Sequence, residues 1–123
     1  MRAQPRSTVA AGRVGEDATA ALLESEGWDV LARNYRTRRG EIDIIAFRDG
    51  VLAFVEVKTW SGFGASELER AVGRAKRARI VETAKIFLAR YREYSSARVR
   101  FDLVLIRENG EAHRIESAFT GEI

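Results

Sequence analysis

The sequence has no cysteine and a single histidine, His113. The absence of cysteine excludes disulfides, iron–sulfur clusters, thiolate zinc sites and cysteine nucleophiles. One histidine excludes a histidine-rich metal site and argues against a serine–histidine triad. Any bound metal must therefore be held by oxygen, which favours magnesium, manganese or calcium. His113 has no candidate co-ligand, and we interpret it as structural.

Long apolar segments are also missing. The longest apolar run, Val51–Val55, has five residues, whereas a transmembrane helix needs roughly 18. Residues 1–13 are basic but lack the apolar stretch of a secretory signal. We therefore expect a cytoplasmic protein with no membrane partner. The 123 residues, 46% hydrophobic and 32% charged, suit one soluble domain, expected over residues 13–123 behind a flexible lead at 1–12.

The predicted elements follow the order αβββαββ, which favours an α/β fold with helices covering a mixed sheet. The first helix is predicted from Arg13 to Glu26, and Gly27 is a natural stop. Its apolar face is predicted to contain Val14, Ala18, Ala21, Leu22 and Ser25. The strands are predicted at residues 28–35, 41–47, 51–59, 98–106 and 111–116.

A long second helix is predicted from Ser66 to Tyr94, although Gly73 argues against its continuity. Its apolar seam is predicted to contain Leu68, Val72, Ala75, Ile80, Ala84, Phe87 and Tyr91. Lys76 falls inside this seam, so it either extends its ammonium from the core edge or reaches a phosphate near a functional site.

Asp49-Gly50 separates two β-rich segments and predicts a two-residue hairpin turn. Arg48 then faces Val51, and the same register places Asp43 opposite Glu56 and Glu41 opposite Lys58. Because strand side chains alternate, these four charged residues are expected to share one face with Ile45, Phe47, Leu52 and Phe54. Ile42, Ile44 and Ala46 are expected on the other face.

Directly opposed carboxylates lie with their Cβ atoms roughly 4.5–5.5 Å apart and destabilise a sheet unless they are compensated. Lys58 can neutralise one carboxylate, one carboxyl can stay protonated with a raised pKa, or a divalent cation can bridge both. An oxygen-only site with open water positions suits magnesium. An ordinary ion network at the end of the sheet remains the alternative.

The segments Gly40-Glu41-Ile42-Asp43 and Phe54-Val55-Glu56-Val57-Lys58-Thr59 resemble the D…E-x-K motif of the PD-(D/E)xK, or restriction-endonuclease-like, nuclease superfamily. More closely, the chain resembles the YraN family of small bacterial proteins within that superfamily. The resemblance also includes Gly12-Arg13-Val14-Gly15-Glu16, Arg33-Asn34-Tyr35, Lys76 and Arg100-Phe101-Asp102. The proline of the superfamily's name has no counterpart before Asp43.

This resemblance implies a central mixed sheet flanked by helices. It implies that Asp43 and Glu56 ligate Mg²⁺ or Mn²⁺ and that Lys58 supports the attacking nucleophile. Glu16 resembles the additional helix carboxylate of Holliday-junction resolvases, which act as homodimers on branched DNA. From its position alone, Glu16 either points towards the site or favours the N-terminus of its helix through the macrodipole. Glu41 either pairs with Lys58 or orients a metal-bound water.

Basic and aromatic residues near the motif indicate a nucleic-acid partner, with DNA favoured over RNA. Arg36, Arg38 and Arg39 directly precede Glu41 and are candidates for contacts with backbone phosphates. Trp60 and Phe63 follow Lys58, and they either stack on an unpaired base or cover the core. Asp102 opens an apolar strand and is interpreted as the structural partner of a nearby arginine.

The sequence therefore favours a metal-dependent endonuclease acting on branched or single-stranded DNA. The alternative is a nucleic-acid-binding or adaptor module that keeps the nuclease fold without cutting. A hydrolase of small phosphate compounds is less favoured, because the chain lacks a G-x-x-x-x-G-K loop to hold phosphates.

Overall fold

The computed structural model describes residues 8–60 and 73–121, and the side chains of residues 14–59 and 73–121. The elements in the described part of the chain are α1 (Thr8–Ser25), β1 (Asp29–Thr37), β2 (Gly40–Arg48), β3 (Val51–Trp60), α2 (Arg74–Arg90), a 3-10 turn (Arg92–Tyr94), β4 (Arg98–Arg107) and β5 (Ala112–Phe119). The α/β class and the order αβββαββ are thereby confirmed for these residues.

The strands described form one mixed sheet in the order β1-β2-β3-β4-β5. Neighbouring strands are antiparallel except β3 and β4, which are parallel. The predicted hairpin turn is confirmed, since Arg48 pairs with Val51 and both turn residues have positive φ, 49° at Asp49 and 80° at Gly50. This backbone suits a two-residue hairpin and fixes the register of the charged motif.

The helices cover opposite faces of the sheet. Ala20 and Leu23 of α1 pack with Ile44, Ala46, Ala53, Val55 and Val104, whereas Ile80, Ala84 and Phe87 of α2 pack with Ile45, Leu52, Phe54 and Phe101. Both faces of the central strands are therefore buried, as their nearly continuous apolar composition predicts. Neither helix, within the residues described, has the length and apolar character that crossing a bilayer requires.

The predictions for α1 were wrong in two respects. The helix begins at Thr8 instead of Arg13. Val14 is 58% exposed, and the buried face instead contains Gly15, Thr19, Ala20 and Leu23. These mostly small residues bring α1 close to the sheet, since a methyl group added at Gly15 would lie 3.5 Å from Val57 and Ile106.

The predicted second helix is shorter where it is described. Gly73 has an extended backbone (φ −62°, ψ 166°) and precedes the first helical residue, so no helix continues through it. Ile80, Ala84 and Phe87 are buried as predicted, but Ala75 is exposed and Tyr91 lies beyond the helix end. Leu68 and Val72 of the predicted seam lie outside the described residues.

Candidate active site

A cavity of about 190 Å³ opens where α2 passes over β2 and β3. Its lining contains three carboxylates and two basic side chains: Glu41, Asp43, Glu56, Lys76 and Arg79, with Ile80. A water molecule takes about 30 Å³ of liquid, so the cavity has room for several waters or a partly hydrated cation. Asp43 and Glu56 thus meet in one cavity, where the hairpin register indicated.

The way in which Asp43 and Glu56 meet differs from the prediction. The recorded pairing of β2 with β3 runs from Arg48–Val51 to Ile44–Val55, before Asp43 is reached. In a continued ladder the amide of Val57 would donate to the carbonyl of Ile42. Instead it donates to Oδ2 of Asp43 at 2.8 Å. The Asp43 carboxylate replaces a backbone acceptor, and the two strands separate around it.

The backbone of β1 is also irregular beside Asp43. The register places Asn34 opposite Asp43, and Asn34 has a φ of 52°, which asparagine tolerates better than most residues. Ile42 packs with the α2-facing core, whereas Ile44 packs with the α1-facing core. The expectation that Ile42 and Ile44 share a face was therefore wrong, because the alternation of β2 changes at Asp43.

Burial and charge strongly perturb the carboxylates of this cavity. Burial, followed by the negative charge of Glu56, raises the pKa of Asp43 to about 7, although the bond from Val57 and the charge of Lys76 oppose the shift. Burial also raises the pKa of Glu56, against the effect of Lys76. The site therefore holds buried carboxylates with raised pKa values, which are frequent in catalytic and metal-binding clusters.

Lys76 is the direct partner of Glu56. Its Nζ lies 2.6 Å from Oε2 of Glu56, whose side chain is only 9% exposed. The helical position of Lys76, inside the apolar seam, left two alternatives: an ammonium extended from the core edge, or one that reaches a phosphate near a functional site. The structure directs that ammonium into the cavity, between α2 and β3.

Glu16 lies on the α1 side of the same irregular region. Burial first, and then the negative charge of Asp43, raise the pKa of Glu16, while a hydrogen bond with Asn34 lowers it. Because α1 begins at Thr8, Glu16 lies more than two turns inside the helix, beyond the range of the macrodipole effect. The effect of the Asp43 charge on the pKa of Glu16 is what an orientation towards the site predicts.

Lys58 does not lie with the residues that line the cavity. Its side chain is exposed and is not part of the cavity lining. The expected pair between Glu41 and Lys58 is not formed, since the strands have separated and Oε2 of Glu41 lies 3.4 Å from Nε of Arg36. Lys58 would have to turn towards the cavity to act there.

The arginines before the motif surround the β1–β2 turn. Arg36, Arg38 and Arg39 are all exposed. Gly40 holds this turn against α2, because an added Cβ would lie 3.1 Å from Oγ1 of Thr83 and 3.2 Å from Cβ of Arg79. Arg79, which the sequence did not single out, lines the cavity. Its position three residues after Lys76 is the signal that places both on one helix face.

The aromatic candidates cannot be placed in the site. Trp60 ends β3 with its backbone paired to Arg107, but its side chain lies outside the described part, as does Phe63. Asp102 is buried, and its carboxylate accepts two bonds from Arg100, with Nε–Oδ1 and Nη2–Oδ2 distances of 2.9 Å. Its interpretation as a structural partner of an arginine is confirmed.

The residues able to hold a cation are Asp43 and Glu56. No group of three or more His, Cys, Asp or Glu side chains in the described ranges is arranged as a metal site. Two carboxylates in a cavity of this size leave the other positions to water and substrate oxygens, as magnesium sites often do. The excess of buried negative charge fits such a cation.

Residues 15–106 match the model of "Uncharacterised protein family UPF0102". A UPF0102 protein of Desulforapulum autotrophicum is 45% identical over 85% of this chain and 86% of its own length. One from Treponema pallidum (strain Nichols) is 42% identical over 85% of this chain and 83% of its own. One from Rhodopseudomonas palustris is 38% identical over 96% and 93%.

Proposed function

The chain belongs to the uncharacterised protein family UPF0102, the YraN family, and from that premise we propose that it is a Mg²⁺- or Mn²⁺-dependent endonuclease that hydrolyses phosphodiester bonds in DNA. The observation that carries the proposal is the meeting of Asp43 and Glu56 in a cavity where the strands have separated. In an ordinary ion network each of these carboxylates would have a basic partner. Glu56 pairs with Lys76, whereas no ion pair in the described ranges joins Asp43 to a basic side chain. Burial raises the pKa of both carboxyls.

In this proposal Asp43 and Glu56 hold the cation, and the resemblance to PD-(D/E)xK nucleases assigns them that role. A divalent cation lowers the pKa of bound water and neutralises charge on a phosphate. The amide of Val57 fixes the orientation of the Asp43 carboxylate. Lys58, turned towards the cavity, orients the attacking water or stabilises charge on the phosphate in the transition state.

The exposed arginines supply affinity for DNA. Arg36, Arg38 and Arg39 are exposed around the turn beside the cavity, and in this proposal they neutralise backbone phosphates without reading sequence. Branched DNA as the preferred substrate, and a homodimeric assembly, stay predictions from the resemblance to Holliday-junction resolvases. Trp60 stays a candidate for stacking on an unpaired base.

A second candidate function is a DNA-binding module that does not cut. Two observations favour it: Lys58 does not line the cavity, and Glu41, although in the lining, does not complete a three-ligand metal group with Asp43 and Glu56 in the described ranges. This candidate predicts salt-sensitive DNA binding that survives substitution of the site residues.

A cleavage screen distinguishes the two candidates. Duplex, single-stranded, flap and four-way DNA are incubated with Mg²⁺ or Mn²⁺ and either the wild type or Lys58→Ala. We expect cleavage of at least one substrate and a loss of about 10²–10³-fold in the variant, the range for removing a group that stabilises transition-state charge. Lys85→Ala is the matched control, because Lys85 is exposed on α2 and pairs with Glu82. No cutting by the wild type on any substrate would favour the second candidate.

The pH dependence of stability tests the metal centre without nucleic acid. Asp43 titrates near 3.8 when unfolded and near 7 in the fold, so its protonated form stabilises the folded chain. In EDTA, the free energy of unfolding should therefore fall as pH rises from about 4 to about 7, by up to about 1.4 kcal/mol per unit from this group.

Saturating Mg²⁺ should flatten this fall near pH 7, because the cation then replaces the proton. Urea unfolding followed by circular dichroism measures both profiles. Identical profiles in EDTA and in Mg²⁺ would contradict a cation held by Asp43.

A further inference from the structure

The ion pair of Lys76 with Glu56 has a consequence for cation binding. The distance from Nζ to Oε2 is 2.6 Å, within direct hydrogen-bonding range. Glu56 is buried, so water cannot stabilise its charge, and the ammonium of Lys76 does so instead. A positive charge of the protein itself already lies beside one of the two carboxylates proposed to hold the cation.

The surroundings of Lys76 leave its side chain an alternative position. Lys76 is in the first turn of α2, its side chain is 35% exposed, and its four-carbon stem is flexible. Arg79 lies about one turn further along α2 and lines the same cavity. A Lys76 ammonium that left Glu56 would thus remain beside another basic group.

We propose that Lys76 is an internal competitor of the divalent cation: its ammonium leaves Glu56 when the cation binds and then becomes available to a substrate phosphate. This inference rests on the proposed function and names a regulatory device of the same site. Two positive charges repel one another at contact distance from one carboxylate, and this repulsion favours the release of Lys76.

Release of Lys76 couples binding of the cation to binding of DNA. Without the cation, Glu56 holds the ammonium and withholds it from phosphate. With the cation bound, Lys76 and Arg79 both face the cavity without a carboxylate between Lys76 and the substrate. Cation and DNA should therefore each strengthen the binding of the other, by the same factor.

The first test is titration of Mn²⁺ alone, followed by calorimetry, in the absence of nucleic acid. Lys76→Met removes the charge and keeps most of the stem, and we expect it to tighten Mn²⁺ binding at least tenfold. Lys85→Met, on the exposed face of the same helix, is the control and should bind Mn²⁺ like the wild type. Lys76→Gln keeps a hydrogen-bond donor for Glu56 and takes the place of Lys76→Met if that variant does not unfold cooperatively.

The second test measures binding of phosphorothioate DNA at several salt concentrations, with and without Mn²⁺. On adding Mn²⁺, the slope of log affinity against log salt should steepen by about 0.9 more for the wild type than for Lys76→Met, as one further phosphate contact requires. The comparison removes the effect of Mn²⁺ itself, which both proteins share.

Unchanged or weaker Mn²⁺ binding by a folded Lys76 variant would overturn the inference while leaving the metal centre intact. Failure of every protein, including the wild type, to bind Mn²⁺ would instead refute the metal centre and this inference with it.

Discussion

Asp43→Asn should abolish Mg²⁺-dependent cleavage and at the same time stabilise the metal-free protein. Cleavage should fall more than about 100-fold, because even groups that only orient metal ligands cost 10–100-fold when removed. The free energy of unfolding in EDTA at pH 8 should rise by about 2 kcal/mol, part of the roughly 4 kcal/mol that the raised pKa of Asp43 allows. The asparagine oxygen can still accept the hydrogen bond of Val57.

Asp17→Asn is the matched control for Asp43→Asn. Asp17 is an exposed carboxylate on α1, and it pairs with Arg33. Its substitution should leave cleavage unchanged and alter the free energy of unfolding by less than about 1 kcal/mol. Urea unfolding and gel-based cleavage measure the two effects. A metal-free Asp43→Asn protein less stable than the wild type would contradict the account of the site as an excess of buried negative charge.

Asp102→Ala should lower the free energy of unfolding by about 3–5 kcal/mol, the usual cost of removing one partner of a buried ion pair. Asp102 is 3% exposed and binds the Arg100 guanidinium through two nitrogens. The amide of Ser117 also donates to Oδ1 of Asp102, at 3.0 Å. The variant would leave Arg100 without its buried carboxylate and this amide without its acceptor.

Glu116→Ala is the comparison variant, because it removes the exposed ion pair of Arg100 and keeps the buried pair with Asp102. Glu116 also contacts Arg100, at 3.6 Å, but its side chain is 54% exposed. Its loss should cost less than about 1 kcal/mol, as for other surface ion pairs. Equal losses in the two variants, measured by urea unfolding, would show that burial of Asp102 is not what makes the interaction strong.

The parts of the structure that local sequence decides were predictable. Asp49-Gly50 permits the positive φ values of a two-residue turn, and the apolar alternation on either side sets the register from Ile44 to Val55. This information sufficed to bring Asp43 and Glu56 together. It did not show that the carboxylate of Asp43 would replace a backbone acceptor, because that depends on how three neighbouring strands bend.

The choice between two helix faces was not predictable from hydrophobicity alone. Val14 and Leu22 suggested one face of α1, but Gly15, Thr19 and Ala20 form the face that touches the sheet. For this helix, close approach of the α1 backbone to the sheet mattered more than the apolar area that the other face could bury. For Lys58, strand alternation indicated the face of Glu56, but it could not indicate whether the long side chain would reach the cavity or remain in solvent.

The hydrogen bond from the amide of Val57 holds the carboxylate of Asp43, the proposed cation ligand, between β2 and β3. An alanine at position 43 would offer no acceptor, and the amide of Val57 would then be available to donate a hydrogen bond to the carbonyl of Ile42. The cavity would therefore tend to close when the proposed cation ligand was lost. The carboxylate of Asp43 therefore keeps β2 and β3 apart and also supplies the proposed cation ligand. Its loss would remove the cavity together with the ligand.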